Sequence, residues 1–254
     1  MSHDLVLLTM MVIGMPEAER ERWRQAANMS SIPVDLSIHD AGAGIAALSR
    51  GRVDVCVLDG GLPEPKRAAV LAATARVKPP PHVFVCAQGD GPRLPGVMSV
   101  LDKPASTDEA RQTVERCLRT KMPTRVLIVD DSSTMRSIVR KILSASRFPL
   151  DVHEADEGIA ALERLRRENF GIVFLDHYMP GLDGLMTLSE IKREAPEVAV
   201  VMMTTVADEP VVEQAMTAGA LGFLRKPFYP ADIDRVLDRY YGFSTARRPG
   251  QAAV

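Results

Sequence analysis

The sequence predicts an α/β protein of two tandem, doubly wound, five-stranded parallel sheets. Three observations carry that expectation. Short apolar runs alternate with helical stripes along the chain. The strand-like runs are apolar on both faces, as strands are when helices cover both sides of a parallel sheet. And the 254 residues read as two copies of one plan, each close to the usual size of a domain.

The second copy reads clearly. "RVLIV" (125–129) is a strand. Met135, Ile138, Val139, Ile142 and Leu143 then fall at i, i+3, i+4, i+7 and i+8, the stripe of an amphipathic helix. "LDVHEA" (150–155) is a weak strand, and "DEGIAALERLRREN" (156–169) a helix. "GIVFLD" (171–176) is a buried strand, followed by "HYMPGLDG" (177–184), whose Pro and Gly mark a loop. "LMTLSEIKREA" (185–195) is a helix, "VAVVMMTT" (198–205) a strand, "EPVVEQAMTAGA" (209–220) a helix and "LGFLRKP" (221–227) a strand. Ile233, Val236, Leu237, Tyr240 and Tyr241 repeat the helical stripe.

The polar residues then sort by position. Asp130 and Asp131 follow the first of these strands, Asp176 ends the third, Thr204 the fourth and Lys226 the fifth. Parallel sheets bind ligands beyond the carboxyl ends of their strands, so these five converge on one edge. Adjacent acids point to opposite faces of a strand and repel one another. Three carboxylates gathered there suit a hard divalent cation such as Mg²⁺, which takes oxygen ligands and keeps room for a phosphate oxygen. A Lys and a Thr beside it suit the other oxygens of a phosphoryl group. Taken singly, Asp176 could cap a loop and Lys226 could be a surface base; five such residues in this order on five strands favour the site.

The second half, about 123–243, resembles the receiver domain of two-component response regulators, especially the chemotaxis type. The resemblance rests on "VDD", "FLDHYMPGLDG", "MMTT" and "LRKPF". It implies a flavodoxin-like fold with Asp176 as phosphoacceptor. Asp130, Asp131, Asp176 and the backbone carbonyl of Tyr178 would hold Mg²⁺, Thr204 would hydrogen-bond the phosphoryl group and Lys226 would pair with it. Thr204 and Phe223 would form the switch, and the Lys226–Pro227 bond would be cis. A sensor histidine kinase or histidine phosphotransfer protein would be the donor. A downstream protein, such as a motor or polar component, or a second copy of the chain, would be the target. His177, beside the phosphoacceptor, reads as a solvated loop residue rather than a phosphohistidine. Tyr178 and Val206 stand two residues after Asp176 and Thr204, positions that flank the hydrolytic water in this family. Both are bulky and neither orients water, so slow self-dephosphorylation is expected.

The first half repeats the plan with losses. "RVDVCVLDGGLPEP" (52–65) parallels "FGIVFLDHYMPGLD" (170–183), "HVFVCAQ" parallels "AVVMMTT", and "VLDKP" parallels "FLRKP". Asp59 thus matches Asp176, Lys103 matches Lys226, and Ala87 stands where Thr204 does. "QGDGPRLPG" (88–96) is too rich in Gly and Pro for a helix, so the fourth helix is expected to be lost. In "LVLLTMMVIG", Thr9 and Met10 read as the counterparts of the aspartate pair, and no acid occurs between Asp4 and Glu17. This half reads as a pseudo-receiver in which Asp59 and Lys103 form a salt bridge and the only tryptophan, Trp23, packs in a core. The expected division is a first domain over 1–120, a second over 124–243 and a small-residue tail over 244–254.

Composition narrows the classes. The net charge is −2, and residues 1–122 hold 15 Lys/Arg against 14 Asp/Glu, without the basic excess of a nucleic-acid binder. No apolar run is long enough to span a bilayer, "MSHD" lacks the basic start of a secretory leader, and the three cysteines, Cys56, Cys86 and Cys117, lack metal-ligand spacing. These point to a cytoplasmic protein that binds no DNA and inserts in no membrane, and the resemblance implies that it is not an enzyme beyond its own phosphorylation chemistry. No DNA-binding or enzymatic output segment is evident, so output through protein contact is expected. Two alternatives carry less. A haloacid-dehalogenase phosphatase needs Asp-x-Asp, not "VDDSS". A cyclic-dinucleotide adaptor would use arginines such as Arg225, Arg247 and Arg248.

Overall fold

The computed structural model describes residues 7–88, 94–205 and 209–243. The chain divides into two compact units: one comprises residues up to Met122 together with those from Tyr241 onward, the other Pro123–Tyr240. The tail from 244, with Arg247 and Arg248, lies outside the described residues, as does Val206.

In the first unit, β1 (Leu8–Ile13), α1 (Glu17–Asn28), β2 (Val34–His39), α2 (Ala41–Leu48), β3 (Val55–Asp59), α3 (Glu64–Thr74), β4 (His82–Ala87), β5 (Ser99–Asp102) and α4 (Thr107–Arg119) follow in order. The second unit contains β6 (Thr124–Val129), α5 (Ser133–Ser144), β7 (Leu150–Ala155), α6 (Gly158–Arg167), β8 (Ile172–Asp176), α7 (Gly184–Glu194), β9 (Ala199–Thr204), α8 (Glu209–Thr217), β10 (Gly222–Arg225) and α9 (Pro230–Tyr240). Each sheet is parallel throughout. The first has the order β2-β1-β3-β4-β5 and the second β7-β6-β8-β9-β10, the same topology twice. Among the described residues the first unit has four helices and the second five. The difference falls between β4 and β5, where the second unit has α8.

The central strands are buried on both faces, as their sequences require. All five residues of β3 and of β8 are buried. Helices close over them with apolar stripes: Ala110, Val114, Cys117 and Leu118 of α4 are fully buried, and so is Trp23 of α1. The α5 stripe is narrower than its spacing suggests. Val139 and Leu143 are buried, but Ile138 remains 46% exposed. The three cysteines are free and buried, and burial pushes the Cys56 and Cys86 thiols up to about 12, where they stay protonated. Among the described residues no helix is long and apolar enough to cross a membrane.

The strand register corrects one reading of the sequence. Ile13 pairs with Leu58 and Val129 pairs with Leu175, each one residue before the matched aspartates Asp59 and Asp176. The counterparts of Asp130 and Asp131 are therefore Gly14 and Met15, not Thr9 and Met10. Thr9 misled because it is the one polar residue in an apolar run, and so looked like a strand end. It is instead held at the opposite end of the strand by buried Asp54. The Thr9 N–H and hydroxyl donate to Asp54 Oδ2 at 2.9 and 3.0 Å. Burial opposes the Asp54 charge, but these bonds and Arg52 outweigh it and hold the carboxyl below its ordinary range.

Candidate functional site

The edge of the second sheet gathers the expected residues. Parallel pairing of β6, β8, β9 and β10 brings their C-terminal ends side by side. Asp130 follows β6 and is 1% exposed; Asp176 ends β8 at 7%; Thr204 ends β9 and is fully buried. Lys226 follows β10, its backbone N–H donating to the Thr204 carbonyl at 2.7 Å. Its ammonium reaches across the edge to both acids. Nζ donates to Asp130 Oδ2 at 2.7 Å and to Asp176 Oδ1 at 2.8 Å. The Lys226–Pro227 peptide bond is cis.

Each acid is further held by backbone. Asp130 Oδ1 accepts from the Ser132 N–H at 2.9 Å, and Arg136 donates to the Asp130 carbonyl at 2.7 Å. Ser132 also caps α5, so the helix starts beside the acids. Asp176 Oδ1 accepts from the His177 N–H at 3.0 Å. Asp131 is exposed, and one carboxylate oxygen from each of Asp130, Asp131 and Asp176 lies within 4.8 Å of the others. Three carboxylates and one ammonium leave the cluster at −2, the charge a divalent cation would neutralise. Oxygen-only donors near a sheet edge are the set that Mg²⁺ prefers. The donor set therefore fits that ion.

Burial acts against the charges of Asp176 and Lys226. It pushes the Asp176 carboxyl above its ordinary value; Lys226 offsets part of this, and the neighbouring Asp130 charge adds to it. Burial also works against the Lys226 charge, but hydrogen bonds to two carboxylates outweigh it and raise its pKa.

The remaining expected residues are placed as follows. Tyr178 is 56% exposed. Phe223 is partly buried and packs against the core of the second sheet. Arg225 ends β10, exposed to solvent. His177 is not the solvated loop residue expected: it is 7% exposed, with its ring centroid 4.2 Å from that of Tyr178. Gly184 explains why. A Cβ there would lie 2.2 Å from the Asp176 carbonyl oxygen and 2.8 Å from the His177 Cα. Only glycine lets α7 begin directly against the strand end, closing the loop over His177. Sequence reasoning had this residue only as loop punctuation.

The matching edge of the first sheet has closed. Lys103 lies 2.8 Å from Asp59 and 3.5 Å from Glu19, which reaches in from α1. Burial opposes the Lys103 charge, and the two acids outweigh it and raise its pKa. Gly14 sits at φ +84°, and a Cβ on it would be 2.7 Å from the Leu62 side chain. Gly60, in the place of His177, leaves no room either: its Cβ would lie 2.6 Å from Ala87. A leucine fills the space beside the position of the first aspartate.

Comparison with known proteins centres on the second unit. Residues 126–238 match the family described as "Response regulator receiver domain". Chemotaxis protein CheY-3 of Vibrio cholerae is 37% identical over 119 residues, 46% of this chain and 91% of that protein. Chemotaxis protein CheY of Bacillus subtilis is 36% identical over 117 residues, 46% of this chain and 94% of that protein. A solved structure of a probable two-component system response regulator/GGDEF domain protein covers 92% of this chain and 97% of its own, with TM-score 0.52. At 20% identity it shares the fold. Nine-tenths of a chemotaxis relative is matched at more than one-third identity, around an acidic cluster closed by a lysine, and the chain therefore belongs to the response regulator receiver family.

Proposed function

We propose that the second unit accepts a phosphoryl group on Asp176 from a phosphohistidine of a sensor kinase or phosphotransfer protein. The observation that carries this reading is the Lys226 ammonium, held 2.8 Å from Asp176 and 2.7 Å from Asp130 at the strand ends. In the step, an Asp176 oxygen attacks phosphorus and the phosphorus–nitrogen bond of the donor breaks. The electron pair leaves with the imidazole nitrogen, which takes up a proton. Asp130, Asp131, Asp176 and the Tyr178 carbonyl would hold Mg²⁺, which supplies positive charge against the phosphoryl oxygens. Lys226 remains beside Asp176 to neutralise the transferred group, and the Thr204 hydroxyl accompanies it at the end of the next strand. Asp130, pinned by the Ser132 N–H, keeps its carboxylate from turning toward the attacking one. Phe223 and Thr204 would carry the change of state to the β10–α9 face, which meets a downstream protein or a second copy. The chemotaxis relatives are little longer than one receiver, so in those proteins a receiver makes up nearly the whole chain.

The test is intact-mass measurement after incubation with acetyl phosphate and Mg²⁺. One phosphoryl group per chain is expected, lost in Asp176→Asn and retained in Asp59→Asn. Label on Asp59, or none at all, would overturn the assignment.

A further inference from the structure

The edge of the first unit lacks the acid pair, yet that unit contains residues that lie beyond the second unit in the chain. Tyr241, Gly242 and Phe243 follow α9 directly and group with the first unit. They are anchored there by side chains of that unit. Phe243 is 4% exposed, and its ring centroid lies 5.2 Å from that of fully buried Phe84 on β4. The Arg116 guanidinium of α4 stands 5.8 Å above the Phe243 ring, and its Nη1 donates to the Gly242 carbonyl at 2.9 Å. Gly242 takes φ +73°, the left-handed conformation that redirects a chain after a helix. Tyr241, 7% exposed, lies 6.2 Å from the Phe243 ring.

The other end of this segment is tied to the phosphoacceptor site. Arg147, just past α5, donates to Asp238 of α9, and the Ser146 hydroxyl donates to Asp234 of α9 at 3.1 Å. At its start, α5 is fixed to the site through Ser132 and Arg136, both bonded to Asp130. A continuous series of charge-assisted and hydrogen-bonded contacts thus runs from Asp130 along α5 to α9, which ends at Tyr240. At its start, α4 and the turn before it are tied to α1: Arg22 donates to the Pro104 carbonyl at 2.6 Å, and the Thr107 hydroxyl of α4 donates to Gln25 at 3.4 Å. Trp23 sits between these two α1 residues, fully buried.

We propose that Tyr241–Phe243 is a strap through which the first unit senses the phosphorylation state of the second. The inference rests on the phosphoacceptor reading given above. Coupling between two places requires an element whose equilibrium both bias. The strap is such an element: seated in the first unit at Phe84 and Arg116, it begins where α9 ends. A shift of α9 on phosphorylation loads or releases it. The first unit, unable to take phosphate, becomes a reader of the second.

Trp23 is the only tryptophan in the chain, so its emission reports on the first unit alone. The full chain is treated with acetyl phosphate and Mg²⁺, and intact mass and Trp23 emission are recorded together. Phosphoryl gain with a change in emission is expected for the parent. Phe243→Ala should keep the mass gain and lose most of the emission response, because the element that couples the two places is unseated. Arg116→Gln, which leaves the Phe243 ring in place, should lose the response likewise, and Phe243→Leu should keep most of it. No mass gain in the parent overturns the phosphoacceptor reading and the strap with it. Mass gain with unchanged parent emission overturns the strap alone, as does an undiminished response in both Phe243→Ala and Arg116→Gln.

Discussion

Two sheet edges of the same topology end differently. At the second edge one lysine bridges two buried carboxylates and a third acid stands exposed beside them. At the first edge the lysine bridges one strand-end aspartate and a glutamate from a helix. The strands, their register and the Asp–Lys pair are common to both. What differs is the residue after the first strand, Asp130 in one and Gly14 in the other, together with what has moved into the gap. A buried acid in that place must be met by polar partners, here the Lys226 ammonium and the Ser132 N–H, and so excludes apolar neighbours. Glycine with φ +84° lets Leu62 close the cleft instead. A receiver fold therefore survives the loss of its site: the sheet core does not depend on the edge residues.

The sharpest way to break this comparison is to rebuild the first edge. Gly14→Asp, Met15→Asp and Ala87→Thr together restore the side chains of a receiver. No phosphoryl group should appear on Asp59, because the aspartate at 14 would need a left-handed backbone and the volume that Leu62 fills. Mass spectrometry of the triple variant in an Asp176→Asn background decides this; label on Asp59 would show that lost acids alone silence the edge. A smaller effect follows at the intact edge. Lys226→Met leaves two buried carboxylates without their shared partner, and should destabilise the second unit by about 3 kcal/mol, as breaking a buried pair does. Chemical denaturation followed by tyrosine emission of a Trp23→Phe chain would measure it. Asp54, at the far end of the first sheet, sets the lower bound. Thr9→Val removes a hydroxyl bond to Asp54 and should cost about 1 kcal/mol, read through Trp23 emission. The Asp54 carboxyl lies below its ordinary range in the folded protein, so its contribution is present above the unfolded pKa. It is lost as the pH falls through the folded value, and the difference between Thr9→Val and the parent should shrink in acid.

Much of this was legible in the residues. The apolar runs of β3, β8 and β9 are buried on both faces, and their unbroken apolar stretches mark them. Asp130, Asp176, Thr204 and Lys226 were found because strand ends in a parallel sheet share one edge. The spacing also matched Ala87 to Thr204 correctly. Register was harder. In β1 nothing in the composition distinguishes Thr9, a polar residue bonded inward to Asp54, from a strand terminus. The pairing partner that settles it is 45 residues away. Glu19 was invisible for a similar reason: it reaches Lys103 from a helix 84 residues distant. The burial of His177 depended on Gly184, whose missing Cβ matters only once α7 is docked. Contacts that cross elements are not encoded in local period, and each of these misses is of that kind.

The contact between Leu62 and the backbone of Gly14 also bears on whether the lost site could return by mutation. Replacing Gly14 alone drives a side chain into Leu62. Shortening Leu62 alone removes apolar contacts from the first core, against which it packs, and gains no acid in return. Either change taken first lowers stability without restoring phosphate chemistry. The route back therefore passes through intermediates that are worse than both ends. Building an acid pair beside Asp59 one substitution at a time is thus uphill at its first step.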